Sequence, residues 1–405
     1  MTTTSQGPVL LVGLGSQGRA YLTAARRLGL DVLVVDRAAA LASPKTRRIL
    51  DDAVTVIPVK DVALPTDWYL AARGACEARP PIGVVAFSED HVVPAALVAT
   101  ERGLPGPGLH AALVSRDKSL QRSLFQVAGI CQPRWVHTSE MEEALAWLAD
   151  HDRAVAKPVD RGGSSGVRLV TSAAELVAWH EAEQPGTFLL EEFVEGPEFS
   201  VELLVREGTV LFANVTAKAT TRPPVFVETG HTAPADISVD LWSTLVSAGT
   251  DVVVALGMAT GIAHVELRAA DQGPAVMEVA VRTPGDHIME TVGAAWGTDM
   301  FENVVRLACG LPIWTSTRPR RVAEVRFPDA AQIQAGRLAE LEVGDRAGIL
   351  MSSVTSASAG STWHDSSSRG GAFIVHDDDH PRLEARMAAL LRGEFSTVGP
   401  GGGVA

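Results

Sequence analysis

The apolar positions of this chain follow two periods, and the changes between them outline its elements. Val9–Val12 is an unbroken apolar run, as a strand buried on both faces requires. Gly13, Gly15 and Gly18 follow as GxGxxG. Apolar residues at helical spacing then predict a helix over 17–28 that stops at Gly29. A strand over 31–35 ends at Asp36. A short strand at 53–58, a helix at 65–78 and a strand at 82–87 come next. Strands alternating with helices predict a doubly wound, Rossmann-like α/β domain. The turn cluster GLPGPG at 103–108 marks its boundary.

Beyond that boundary the pattern turns to paired strands. Asp117 and Lys118 open an amphipathic helix stopped by Gly129, and a second helix is predicted over 140–149. In AVAKPVDRGGSSGVRLV, residues 154–170, a β-branched run delivers Lys157. A loop of Gly162, Gly163, Ser164, Ser165 and Gly166 follows, then a second strand over 167–170. Unshielded backbone N–H groups in such a hairpin can close over phosphate oxygens, with Lys157 adding a mobile positive charge. An ordinary surface hairpin fits the same pattern. A strand over 188–190 is left by Glu191, Glu192, Phe193 and Val194. Gly196 and Pro197 turn into a strand over 198–205 whose Glu198 and Glu202 share one face. Chain leaving a strand offers the free C=O and N–H that read an adenine edge, and an acid past the turn can accept from ribose hydroxyls. A polar-faced hairpin is the alternative.

Several polar positions stand out on this scaffold. Glu89 ends the 82–87 strand, where open α/β sheets bind ligands, although it equally suits the acidic first turn of a helix capped by Ser88. Glu228 and His231 flank Thr229-Gly230 and can hold the ammonium and carboxylate of a small substrate, or serve as loop polar groups. His264, Glu266 and Arg268 alternate with Val265 and Leu267, and after a turn at 271–274 the strand over 276–281 carries Glu278, with Arg282 beyond it. Carboxylates on paired antiparallel strands can face one side. Adjacent anions repel and call for a cation, and Mg²⁺ prefers such oxygens with water and phosphate. The fork of Arg282 suits a developing anionic oxygen.

Composition removes other classes. The 405 residues are 46% hydrophobic, enough for two or three cores. A net charge of −13 argues against nucleic acid as a partner. Cys76, Cys131 and Cys309 form no CxxC, which fits a reducing cytoplasm. The start lacks a basic leader, and no apolar run is long enough to span a membrane. GxGxxG with Asp36 can mean a dinucleotide site, or only a tight strand-to-helix turn. Toward the C-terminus, strands are expected at 322–327 and 372–376 and helices at 333–341 and 384–391. Ser366, Ser367 and Ser368 precede Arg369 in the stretch between them. Asp377, Asp378 and Asp379 with His376 and His380 read as a hydrophilic turn rather than a metal site, because consecutive acids cannot converge on one ion. The tail over 398–405 is expected to be disordered.

Taken in order, RDK at 116–118, the KP and GGSSGV hairpin, EEFVEGPEFSVE, Lys218 with ETGH, and HVEL with MEVAVRTPGDHI resemble the ATP-grasp superfamily. The likeness is greatest to its carboxylate–amine ligases, such as the bacterial L-amino-acid (dipeptide) ligases, and runs over roughly residues 8–310. It implies an α/β ATP-grasp fold. Its parts would be a Rossmann-like domain at 1–112, a small lobe with a glycine-rich lid at 113–195, a central lobe with metal-binding strands at 196–312 and a C-terminal α/β subdomain at 313–397. It implies that Lys118, Lys157, the 162–166 loop, Glu191, Glu192, Phe193, Val194 and Glu198 bind ATP. Glu266 and Glu278 would bind Mg²⁺, two ions being expected and Mn²⁺ an alternative. Arg282 and Lys157 would serve catalysis. Glu89, Lys218, Glu228, His231, Arg282, Gly285 and His287 would meet a carboxylate and an amine substrate. A cytoplasmic homodimer acting on small molecules is the implied setting, and a usual absence of NAD makes GxGxxG a structural turn. Ala280 departs from the family, many of whose members place Asn there, which puts one metal ligand in doubt. A carboxylase-type or purine-pathway ligase, and a nucleotide-binding protein without turnover, are the competing readings.

Overall fold

The computed structural model describes residues 7–50, 54–344, 348–355, 363 and 365–394. The expected disordered tail lies outside them. Strands β1 (Val9–Val12), β2 (Val32–Arg37), β3 (Val54–Val59) and β4 (Gly83–Ala86) form a parallel sheet in the order β3-β2-β1-β4. Val9 and Leu11 face one core with Tyr21 and Leu22; Leu10 and Val12 face another with Trp68 and Ala72. Burial on both faces explains the run without alternation.

The glycine turn after β1 is filled by the protein itself. At Gly13, φ is +85°, and a Cβ there would lie 2.3 Å from the His91 ring; a Cβ on Gly15 would meet Phe87 at 2.9 Å. Asp36 accepts the Leu14 N–H at 2.9 Å, so its carboxylate braces the turn instead of facing a ribose. These glycines allow close approach within the domain.

A second sheet, in the order β5-β8-β6-β7, forms the small lobe from Trp135–Thr138, Phe188–Glu192, Ala154–Pro158 and Arg168–Val170. The glycine-rich segment is the predicted hairpin, with Ala154 opposite Val170 and Ala156 opposite Arg168. Strand β8 runs two residues further than its apolar pattern suggests. Glu191 pairs with both Trp135 and Val155, and the Glu192 N–H donates to Arg134 O at 2.8 Å. Charge neutralisation by buried partners keeps Glu191 in the ladder, so chain free to offer an edge begins at Phe193.

The largest sheet has eight strands in the order β13-β12-β9-β10-β11-β14-β16-β15. It comprises β9 (Glu198–Arg206), β10 (Thr209–Thr220), β11 (Glu228–Ala233), β12 (Gly261–Ala270), β13 (Gly273–Ala280), β14 (Val322–Arg326), β15 (Ile349–Ser352) and β16 (Phe373–Asp377). The C-terminal strands β14–β16 extend the central sheet beyond β11. One face buries Val201, Leu203 and Val205 against Leu245, Val252 and Val253 of the helix Val239–Ala255. The other face places Leu204, Phe212 and Ile262 in one core with Val9, Leu11 and Tyr21. Tyr21 joins the two parts directly: it stacks on Phe87, meets Phe301 edge-on, and donates to Thr283 Oγ1 at 3.2 Å. Gln17 also bonds Thr283 and donates to Pro284 O at 2.5 Å. The N-terminal glycine turn therefore supports the loop that follows Arg282.

The cysteines are free thiols. Among the described residues, no helix is long and apolar enough to cross a membrane, and no group of three or more His, Cys, Asp or Glu is placed to hold a metal. Asp377 and Asp378 pair with Arg386 and Arg382, and Asp379 caps the helix His380–Leu391, as a hydrophilic turn should.

Candidate active site

Between the small lobe and the central sheet lies a cleft whose two walls come from separate strand hairpins. Its inner end rests on the helix Lys118–Ala128, which Asp117 caps by accepting the Ser119 N–H at 2.8 Å. An i,i+4 spacing puts Lys118 and Arg122 on one helix face. Arg122, 1% exposed, donates to Glu191 Oε1 at 2.7 Å and to Val276 O and Met277 O. Lys157 meets the other Glu191 oxygen at 2.5 Å. Burial opposes charge on Glu191, but Arg122 and then Lys157 outweigh it and hold the carboxyl down to about 2. Burial lowers Lys157 to about 8 in spite of Glu191. Val155, Phe193, Phe226 and Met277 give this end flat apolar walls, with Phe193 stacked on Phe226. Arg268 donates to Val194 O at 3.1 Å and pairs with Glu198 at 2.9 Å, joining the two candidate edge and ribose groups.

Further along the cleft, Glu266 lies directly opposite Glu278 in the β12–β13 register. Their side chains are 26% and 31% exposed and each carries a cationic partner, Lys218 at 2.6 Å and Lys118 at 3.0 Å. Lys118 also donates to Arg161 O at the base of the glycine-rich loop. Lys218 is a buried hub that reaches Glu198 at 3.1 Å and Glu228 at 3.8 Å as well. Beneath Glu266, the His264 ring bridges Glu202 at 3.1 Å and Glu266 at 3.3 Å. Glu202 is fully buried and accepts from Ser200, Asn214 and Thr216. Burial disfavours charge on His264, yet Glu202 and then Glu266 raise its pKa above the ordinary imidazole value.

The matching family model, the ATP-grasp domain, covers residues 152–290, which hold both hairpins. Over those residues the chain is similar to ATP-grasp domains. Carnosine synthase 1 of Gallus gallus is 29% identical over 348 residues, covering 77% of this chain and 36% of that protein. The chain thus spans about a third of that relative's length. D-alanine–D-alanine ligase of Pseudomonas putida (strain GB-1) is 29% identical over 217 residues, 50% of this chain and 64% of that ligase. The crystal structure of an L-amino acid ligase from Bacillus licheniformis superposes with a TM-score of 0.75 at 22% identity, covering 96% of this chain and 98% of that one. The ATP-grasp fold extends over nearly the whole chain.

Within the ATP-grasp cleft, several candidates sit where the sequence suggested and others do not. Gly162, Gly163 and Ser164 line it; Ser165 and Gly166 do not. Gly166 is packed at the loop base, where a Cβ would lie 2.9 Å from Glu183 and 3.0 Å from Pro158. Glu89 also lies outside the lining. It pairs with Arg282 and with Arg116, the latter at 2.5 Å, so it holds Arg282 at the cleft edge. Burial opposes its charge, but Arg282 and then Arg116 keep its carboxyl below the usual range. His287 is outside too: it begins the helix Ile288–Trp296 and meets Glu290 at 3.3 Å. Glu228, His231 and Gly285 line the outer end together with Asp286 and Ser366. Arg122, Asp286, Ser366 and Arg369 received no role from the sequence. Arg122 meets Glu191 across 69 residues, Asp286 meets Arg369 across 83 and Ser366 meets Glu228 across 138, and no local period signals such contacts.

Lys157 gives a pH test of the inner end. A lysine lowered to about 8 carries its charge at pH 7 and is mostly neutral at pH 9. Affinity for an ATP analogue should therefore fall up to about tenfold between pH 7 and 9, following the protonated fraction. Calorimetric titration should show this slope flattened in Lys157→Arg, which stays charged.

Proposed function

We propose that the chain is an ATP-dependent carboxylate–amine ligase that joins an amino acid to a second small molecule through an acyl-phosphate and releases ADP and phosphate. The observation that carries this reading is the pairing of Glu266 with Glu278 beside Lys118 and Lys218, with Arg282 just beyond the same hairpin. The names of the ligases it is similar to support the same reading. Glu266 and Glu278 fit Mg²⁺: both offer carboxylate oxygen and both are partly exposed to the cleft, although the ion would share them with Lys218 and Lys118. Ala280 adds no donor, so phosphate and water oxygens would complete the shell, as Mg²⁺ favours. Two ions would share this pair. When bound, Mg²⁺ neutralises charge between the phosphates.

The remaining work falls to side chains. Lys118, Lys157 and the N–H groups of the 162–164 loop hold phosphate oxygens, while Phe193, Val194 and Glu198 hold the nucleoside. A substrate carboxylate attacks the γ-phosphorus, and Arg282 stabilises the charge that develops on the transferred group and then on the tetrahedral carbon. The glycine-rich loop closes to keep water from the acyl-phosphate, and an amine held near Glu228 displaces phosphate. A phosphate-release screen of amino-acid pairs with ATP and Mg²⁺ tests this. ADP and phosphate should form only when a carboxylate and an amine are both present, with a coupled amide in equal amount. Turnover driven by bicarbonate, or binding of ATP with no turnover in any pair, overturns it.

A further inference from the structure

The outer end of the cleft is closed by a piece of chain from beyond the ATP-grasp domain. The short 3-10 turn Ser366–Ser368 reaches back to β11 and to the glycine-rich loop. Ser366 Oγ donates to Glu228 Oε2 at 2.8 Å, and its N–H donates to Gly163 O at 3.2 Å. Arg369 has a side chain only 7% exposed, and its guanidinium lies 3.7 Å from the centre of the Phe327 ring. It grips both oxygens of Asp286, one at 3.0 Å, and donates to Glu228 O at 3.3 Å and Ser366 O at 2.8 Å. Asp286 itself has φ of +56°, a left-handed backbone that Asp adopts more readily than most non-glycine residues.

One group among these partners makes no hydrogen bond of its own. His231 is 1% exposed and lines the cleft between Glu228 and Asp286. Neither ring nitrogen has a hydrogen-bond partner, and Nε2 stops 3.5 Å from Asp286 Oδ2. A buried imidazole without a hydrogen bond costs free energy that a ligand with polar groups would recover. The Glu228 carboxylate beside it, held by Ser366 on one oxygen and met only at 3.5 Å by Ser164 and 3.8 Å by Lys218 on the other, is an acceptor suited to a primary ammonium, and the imidazole suits a carboxylate or carbonyl oxygen.

We infer that Arg369, with Ser366, is a positioning residue for the amino-acid subsite: it fixes Glu228, Asp286 and His231 around the substrate's ammonium end. This rests on the ligase reading above. Arg369 touches no substrate; it acts through Asp286 and the Glu228 carbonyl. Ser366 ties the same subsite to Gly163, so loop closure over phosphate and capture of the amino acid share one contact.

The test compares wild type, Arg369→Ala, Arg369→Lys and Ser366→Ala. Its substrate is whichever of the twenty protein amino acids gives the largest phosphate release with wild type. Arg369→Ala should raise the amino-acid KM about 10- to 100-fold, with ATP KM within about twofold. Arg369→Lys should recover part of this, because it keeps charge without the fork. Ser366→Ala removes one neutral-to-charged hydrogen bond and should raise that KM about threefold to tenfold. A merely structural role would lower the active fraction, and hence kcat, without splitting the two KM values. Unchanged amino-acid KM in Ser366→Ala and either Arg369 variant overturns the inference, as does an equal rise in ATP KM. If wild type releases no phosphate with any amino acid, the ligase reading fails and this inference falls with it.

Discussion

Arg282→Ala should lower single-turnover phosphate release about 10²- to 10³-fold while ATP-analogue affinity stays within about twofold. The split follows from where the guanidinium stands. It lines the cleft just past the strand that carries Glu278 and belongs to no lysine–carboxylate pair there, so it would meet charge that develops as the phosphoryl group moves. It is also held before any substrate arrives, by Glu89 and by donation to Thr283 O at 2.8 Å. Preorganisation of that kind avoids reorganisation during the reaction. Loss of fold would not mimic the result, since Glu89 keeps Arg116 at 2.5 Å when Arg282 is removed. Arg282→Lys restores charge but not the fork, and should recover less than a tenth of the rate. Parallel loss of analogue binding and turnover would place Arg282 in nucleotide binding instead and sink this assignment.

How much of this was legible follows from the range of each contact. The 154–170 hairpin is local: a β-branched run, glycines and a second run define it without the rest of the chain. The Glu266–Glu278 pairing is nearly local, because the short turn between β12 and β13 sets the register. Glu89 was ambiguous for a physical reason. The first turn of a helix at a strand's carboxyl end looks the same whether its acid faces a ligand or a neighbouring arginine. Only the approach of Arg116 and Arg282 from elsewhere decides between them. Glu191 misled in the other direction, since an acid after Leu189 and Leu190 reads as chain leaving a strand until Arg122 is seen beneath it. Asp286 and Arg369 meet across 83 residues, and Ser366 and Glu228 across 138. Neither contact leaves a trace in periodicity or spacing.

That buried charge also sets the largest stability effect. Glu191→Gln should destabilise the protein by about 3–5 kcal/mol, read as a lower urea midpoint by circular dichroism at pH 7. Arg122 and Lys157 are 1% and 8% exposed on their side chains, and both depend on the one carboxylate at 3%. Removing its charge strands two cations away from water. Glutamine keeps the shape but offers one acceptor where Arg122 and Lys157 use two, so the loss combines the missing charge with one donor left facing an NH2 group. The wild type should show the same dependence through pH. Glu191 titrates at about 2 when folded and near the ordinary glutamate value when unfolded, so its stabilisation is complete above that ordinary value and fades as pH falls toward 2. A difference of that size is worth roughly 3 kcal/mol. Lys157 contributes in the opposite sense, because a lysine lowered to about 8 costs stability while it is charged below that pH. Pairing Arg122→Met with Glu191→Gln removes one stranded cation, so the double variant should lose less than the two single losses added together. Additive losses, or a Glu191→Gln midpoint equal to wild type, would mean that the two cations find water or another anion when Glu191 is neutral.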